Sequence, residues 1–207
     1  MKKARSLFAL LVLLTGAPTT EAASTDPEGF RPLFNGKDLT GWKLRRADGF
    51  PSWSVKDGVL VNAPDPVKHG TDLVTEDKFW NFTVRFEYKV PAGANSGFYL
   101  RGRHEIQILD DYKAGQPSLG GNGAIYQHTP VAKFASKPAG EWNTVEATMI
   151  GNKITVVLNG VKVHDNVECN RATGSEIDKK VNESGPFFLQ GDHGSVSFRN
   201  LRIKELK

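Results

Sequence analysis

The chain has 207 residues, with 27 lysines and arginines against 23 aspartates and glutamates, a net charge of +4, and 39% hydrophobic and 24% charged residues. These proportions belong to a folded soluble protein and exclude a disordered chain, a collagen-like fibre and a multi-span membrane protein. With 21 glycines, 10% aromatics and apolar residues in short alternating runs, the composition points to an all-β domain rich in turns.

At the N-terminus, Lys2, Lys3 and Arg5 precede an apolar run from Leu7 to Leu14, followed by small and polar residues. The pattern reads as a secretory signal peptide, residues 1–22, with cleavage after Ala22 or Ala23. The run is far short of the roughly 18 to 20 residues that cross a bilayer, and no cysteine follows it to accept a lipid. A secreted or periplasmic location is therefore expected, with no membrane association once the leader is removed. Its loss takes Lys2, Lys3, Arg5 and Glu21 away and leaves a net charge of +2, too little basic bias to suggest nucleic acid. Cys169 is the only cysteine, so no intramolecular disulfide can form and the fold must rest on core burial. No repeat of 20 to 50 residues is visible. Residues 23–207 read as one domain, expected to be a monomer.

Period-two alternation marks strands at Trp53–Lys56, Val59–Asn62, Phe82–Val90, Gly97–Arg101, Glu105–Leu109 and Ala124–His128. Further runs follow at Asn143–Ile150, Lys153–Leu158, Val161–His164, Phe187–Gln190 and Ser195–Ile203. Asp57-Gly58 and Asn159-Gly160 are tight-hairpin dipeptides. No helical apolar spacing longer than two turns follows the leader. Many short strands without helices predict a sandwich of two antiparallel sheets or a barrel. The polar stretch Asp165–Gly185 reads either as a lid or as a surface insertion.

Alternation also sorts side chains by face. With Phe98 and Leu100 inward, Gly97, Tyr99 and Arg101 face outward. Inward Ile106 and Ile108 leave Glu105 and Gln107 outside. Ala124, Tyr126 and His128 share a face, and Gln190 follows inward Leu189 into Gly191-Asp192-His193-Gly194. A face of Arg, Glu, Gln, Tyr, His and glycine suits a sugar, whose hydroxyls need planar hydrogen-bonding partners. The alternative is a plain solvated face, such as Thr83, Arg85, Glu87 and Lys89 present. Glu105 and Asp110 fall on opposite faces of a regular strand, although a bulge would bring them together. The stretch resembles the Glu-x-Asp-x-x-Glu strand of laminarinase-type jelly rolls, with Gln107 and Asp110 replacing two carboxylates, which argues against ordinary double displacement. His104 is read as a local hydrogen bonder, and no zinc spacing such as HExxH or CxxC exists. A divalent ion assembled from separate strands stays open. Asn81 and Asn182 begin glycosylation sequons, and the four tryptophans read as core or edge anchors rather than a sugar platform.

LFNGKDLTGW, FTVRFEYKVPAGANSGFYLRG, HEIQILDD, GAIYQHTP, AGEWNTVEA and GPFFLQGDHGSVSFRNLRI together resemble the 3-keto-disaccharide hydrolase domain family, from about Phe30 to Leu206. The resemblance implies a jelly-roll sandwich of the concanavalin A-like lectin and glucanase type. It also implies an exported enzyme that cleaves glycosides already oxidised to a ketone at C3. Removal of the acidified C2 proton would then expel the C1 substituent by elimination, with water adding back. On this chain Glu105 would be the base, or a ligand if a metal is bound. His193 or His128 would be the acid or enolate stabiliser, and Arg101, Gln107, Tyr126, Gln190 and Asp110 the substrate binders. A non-catalytic sugar-binding module and an ordinary glycoside hydrolase remain as rivals.

Overall fold

The computed structural model describes residues 25–207; the predicted leader lies outside them. In chain order the strands are β1 (Arg31–Pro32), β2 (Trp42–Leu44), β3 (Trp53–Lys56), β4 (Val59–Asn62), β5 (Leu73–Thr75) and β6 (Phe82–Lys89). There follow β7 (Asn95–Leu100), β8 (His104–Leu109), β9 (Asn143–Ile150), β10 (Lys153–Leu158), β11 (Val161–Glu168), β12 (Phe188–Leu189) and β13 (Val196–Glu205). A single short 3₁₀ turn, Tyr112–Ala114, is the one helical element among the described residues, and no helix there is long and apolar enough to cross a membrane.

Two antiparallel sheets result. The larger runs β11-β10-β9-β6-β13-β4-β3, with β1 on β13, and the smaller β2-β5-β12-β7-β8. The alternation of β6 decides why they pack: Phe82, Val84, Phe86 and Tyr88 are buried while Thr83, Arg85, Glu87 and Lys89 are only half-buried. Facing them from the smaller sheet are Leu73, Phe98, Leu100, Ile106, Ile108 and Leu189, all in one core cluster. Phe86 stacks on Phe98 across the sandwich at 4.0 Å between centroids, and Phe187 meets Phe82 edge-on at 4.7 Å. Both hairpin dipeptides take the expected left-handed conformation, with φ of 52° and 77° at Asp57-Gly58 and 51° and 79° at Asn159-Gly160.

Three differences from the sequence expectation have physical causes. Ala124–His128 is not a strand: it is a turn, with Gln127 at φ 51°, whose Ile125 bridges Ile106 and Thr129. The three-residue β2 is too short to show a period, and β5 carries none because Leu73, Val74 and Thr75 are all buried. Arg101, sorted to the outer face, stands instead at φ 51° just past β7 and leaves the strand. Its guanidinium is fully buried, under Trp80 at 4.0 Å from the ring centroid, and donates to the carbonyls of Gly151 and Val181.

Arg101 is therefore a clamp rather than a substrate binder, and its neighbour Arg103 does similar work. Arg103 grips Asp178 through Nε and Nη2 and donates to Glu183 O at 2.9 Å. Ile177 N donates to Gly102 O and Thr173 N to Arg103 O, at 2.9 and 3.0 Å. The segment expected to be a lid or an insertion begins only after β11 and is strapped down by the β7–β8 turn. Replacing Arg101 by Met should leave its carbonyl partners without donors. Urea unfolding is expected to show a loss of about 1 to 3 kcal/mol, the scale of leaving partly buried carbonyls without their charged donor.

Candidate functional site

The outer face of the smaller sheet is organised by register. One row runs Glu105, Tyr99, Phe188, Val74 and Lys43 across β8, β7, β12, β5 and β2. Part of this row is dry. Tyr99 and Phe188 stack at 3.7 Å with 12° between planes, and Ile177 from the strapped segment packs on them and on Val74. The next row is polar but buried: Gln107 lies opposite Gly97, and Gln190 N donates to Gly97 O at 2.9 Å on the other side.

Glu105 is 3% exposed. Tyr99 Oη donates to its Oε2 at 2.7 Å, and its own N–H donates to Thr173 Oγ1 at 2.9 Å. Its other oxygen, Oε1, lies over Gly97, where any Cβ would collide with it. Burial pushes the Glu105 carboxyl up to about 7; the Tyr99 hydrogen bond and His193 oppose the rise, and Asp72 and Asp192 add to it. Burial and the charge of Glu105 raise the Tyr99 phenol, so it remains a donor at neutral pH.

Opposite Glu105 the sheet edge is held by a pair that the sequence did not single out. Asp72, just before β5, accepts from Gly191 N through Oδ1 and from Arg45 Nη1 through Oδ2, both at 3.0 Å. Burial raises the Asp72 carboxyl, with these two donors opposing. Arg45 also donates to the carbonyls of Ser175 and Glu176 at 2.8 Å, so one ion pair ties the strapped segment to the 191–194 turn. Asn62 Nδ2 donates to the carbonyls of Gly191 and Gly194 at 3.0 and 2.9 Å. Fixed at both ends, the turn presents Asp192 and His193 as a hydrogen-bonded, half-exposed pair.

The structure thus brings Glu105, Gln107 and Gln190 to one face, with His193 among the charged neighbours of Glu105. Gln107 is anchored by its own chain, Oε1 accepting from Ile108 N at 2.9 Å. Gln190 is 6% exposed, and its buried Oε1 has no hydrogen-bond partner among the described residues, an exception to the usual pairing of buried polar atoms. Other nominees lie elsewhere. Asp110 leaves the strand after Leu109 and accepts from Gly93 N at 2.9 Å, so it is a turn fastener and no bulge returns it to Glu105. Tyr126 and His128 sit on the turn flanking β8, where Tyr126 N donates to Glu105 O at 3.0 Å. His128 Nδ1 is bonded to Thr129 Oγ1 at 2.8 Å, and its charged neighbours are Arg171 and His164 rather than Glu105. His104 is buried and bonded to Cys169 O at 3.1 Å, a local role as expected.

A metal ion would meet donors already engaged here, Asp72 with Gly191 and Arg45, Asp192 with His193. Among the described residues no group of three or more His, Cys, Asp or Glu is placed to hold one. The residues present do not make a metal cage, and no catalytic step is assigned to one.

Residues 29–204 match the model of a family described as a 3-keto-alpha-glucoside-1,2-lyase-like domain. A 3-keto-disaccharide hydrolase from Bacteroides thetaiotaomicron is 29% identical, with 87% of this chain and 80% of that protein covered. A Parabacteroides distasonis protein of known structure, provisionally described as a glycosyl hydrolase, is 31% identical with a TM-score of 0.68, covering 84% of this chain and 82% of its own. The β-glucanase of Bacillus licheniformis shares the fold alone, at 13% identity and a TM-score of 0.52 over 86% of this chain and 97% of its own. The two sheets are therefore a jelly-roll sandwich of the concanavalin A-like type, and the chain belongs to the 3-keto-alpha-glucoside-1,2-lyase-like domain family.

Proposed function

We propose that this carbohydrate-active enzyme cleaves 3-keto-glycosides by proton abstraction at C2, with Glu105 as the base. The observation that supports it is a buried carboxylate, raised to about 7, beside the buried amides of Gln107 and Gln190 and without a partner carboxylate free to act. Double displacement needs two carboxyl groups roughly 5 to 5.5 Å apart. Here Asp110 is fastened to Gly93 and Asp72 is held by Gly191 and Arg45.

Elimination needs less. A ketone at C3 acidifies the C2 hydrogen; Glu105 takes that proton through Oε1, and the C2–H electrons form an enolate with the C3 oxygen. The enolate collapses to restore the ketone, making a C1=C2 bond and breaking the C1–O bond to the leaving group. His193, on its exposed turn, supplies the proton to the departing oxygen, and Asp192 holds the imidazole in orientation. Water then adds at C1 and a proton returns to C2. Gln107 and Gln190 position sugar hydroxyls, the orphan Oε1 of Gln190 as acceptor. Substrate would be met outside the cytoplasm, in keeping with the leader read in residues 1–22.

The direct test is incubation with matched plain and 3-keto disaccharides in heavy water. Cleavage of the oxidised sugar alone, with deuterium at C2 of the released 3-keto sugar, is expected; equal rates on the plain sugar would remove the proposal. Glu105→Gln should lower turnover by roughly 100-fold or more.

Because the base works ionised, kcat/KM should rise with pH through about 7 and then level. Tyr99→Phe removes a donor that stabilises the carboxylate, so this limb should move to higher pH. Gly97→Ala should displace Oε1 and cost at least tenfold in kcat while circular dichroism stays native.

A further inference from the structure

A second feature lies beside the turn that carries His193. A cleft of about 550 Å³ is lined by Arg46, Lys68, His69, Gly70, Asp192 and His193. Its floor is backbone: at Gly70 a Cβ would strike Gly191 O and Ser52 Oγ, so the chain can only close up here without a side chain. Its walls are cationic. Among the described residues no carboxylate lies within ion-pair distance of Arg46 or Lys68. Asp192, the one acid in the lining, is already bonded to His193. Lys68 is not on a loose tether, because Asp65 accepts from the N–H groups of Val67 and Lys68 at 2.8 and 2.7 Å and fixes the turn. The Lys68 ammonium stands 5.4 Å from the Phe50 ring centroid, which gives the rim an aromatic edge as well.

His193 joins the two places, lining the cleft and acting electrostatically on Glu105. For a sugar bound with C2 at Glu105 and its C1 oxygen at His193, the leaving group would stand on the side of His193 that lines this cleft. We propose that the cleft is the leaving-group subsite and that it selects aglycones carrying a carboxylate. The inference rests on the 3-keto-glycoside reading for its orientation, but its charge preference is measurable independently. Two unpaired cations in a partly open cleft attract an anion at short range, and salt weakens that attraction.

The test compares 4-(carboxymethyl)phenyl 3-keto-glucoside with its neutral amide, 4-(carbamoylmethyl)phenyl 3-keto-glucoside, whose leaving phenols are nearly matched. The acid is expected to show about fivefold higher kcat/KM at low ionic strength, the scale of two partly exposed ion pairs. The preference should fall below about twofold in 0.5 M sodium chloride, where charges are screened within a few ångströms. It should also disappear in the double variant Arg46→Gln, Lys68→Gln, whose two exposed positions leave the core untouched. Equal rates for acid and amide in the wild type would overturn the proposal. Calorimetric binding of the corresponding unoxidised glucosides separates the two readings. If neither keto compound is cleaved but the plain acid binds more tightly than the plain amide, and the double variant erases the difference, the subsite stands and the 3-keto reading fails. No preference in that binding experiment overturns the subsite.

Discussion

The site depends on a missing side chain. Glu105 projects from β8 onto the outer face, and its carboxylate can lie back across β7 only because Gly97 has no Cβ; any other residue would stand where Oε1 now lies. That open space also places the second oxygen. With Oε1 settled over the strand, Oε2 comes within 2.7 Å of Tyr99 Oη, two residues along on the same face. Tyr99 in turn is held flat by Phe188 beneath Ile177. The geometry of one carboxylate is therefore fixed by a glycine, a phenol and an aromatic stack, each contributed by the sheet itself rather than by a loop.

Much of this was legible from alternation. The long strands β6, β9, β10 and β13 have one wet and one dry face, so their pattern shows in the sequence. The pairing of Glu105 with Gln107 beyond Phe98 and Ile106 followed from the same rule. What the rule could not reach was the end of a strand. Arg101 follows Tyr99 by two positions, and alternation sends both outward, yet a left-handed residue at the strand end turns its guanidinium into the clamp under Trp80. Asp72 and Arg45 escaped for a related reason. They flank three-residue strands, and in β5 both faces are covered, so no period survives to be read. The turn at Ala124–His128 misled differently, since hydrogen bonds to β8 at Glu105 and Gln107 make an irregular segment carry strand-like residues.

Asp72 and Arg45 also show how the site is kept in register. The segment after β11 is long and polar, and its sequence reads either as a lid or as a surface insertion. Arg45, Arg101 and Arg103 bind its carbonyls and Asp178. The same Asp72 that anchors Arg45 also receives Gly191 N. The turn bearing His193 and the segment covering Tyr99 are consequently referred to a common point. His193 itself stays half-exposed on that turn, bonded to Asp192.

The electrostatics then fit one task better than another. A carboxylate surrounded by apolar groups and by two further acids would rise until it stayed protonated at neutral pH, useless as a base. A carboxylate with several good donors would sink and lose its proton affinity. Glu105 lies between these limits because burial and the acids Asp72 and Asp192 raise it while a single Tyr99 donor and His193 restrain it. A base poised near neutrality combines a substantial ionised fraction with real affinity for a proton, the compromise that favours general-base catalysis. Ordinary glycoside hydrolysis would ask for a protonated carboxylic acid paired with a second, ionised carboxylate. A carbon acid beside a ketone asks instead for one moderate base held at a fixed distance, the role proposed above for the carboxylate lying over Gly97.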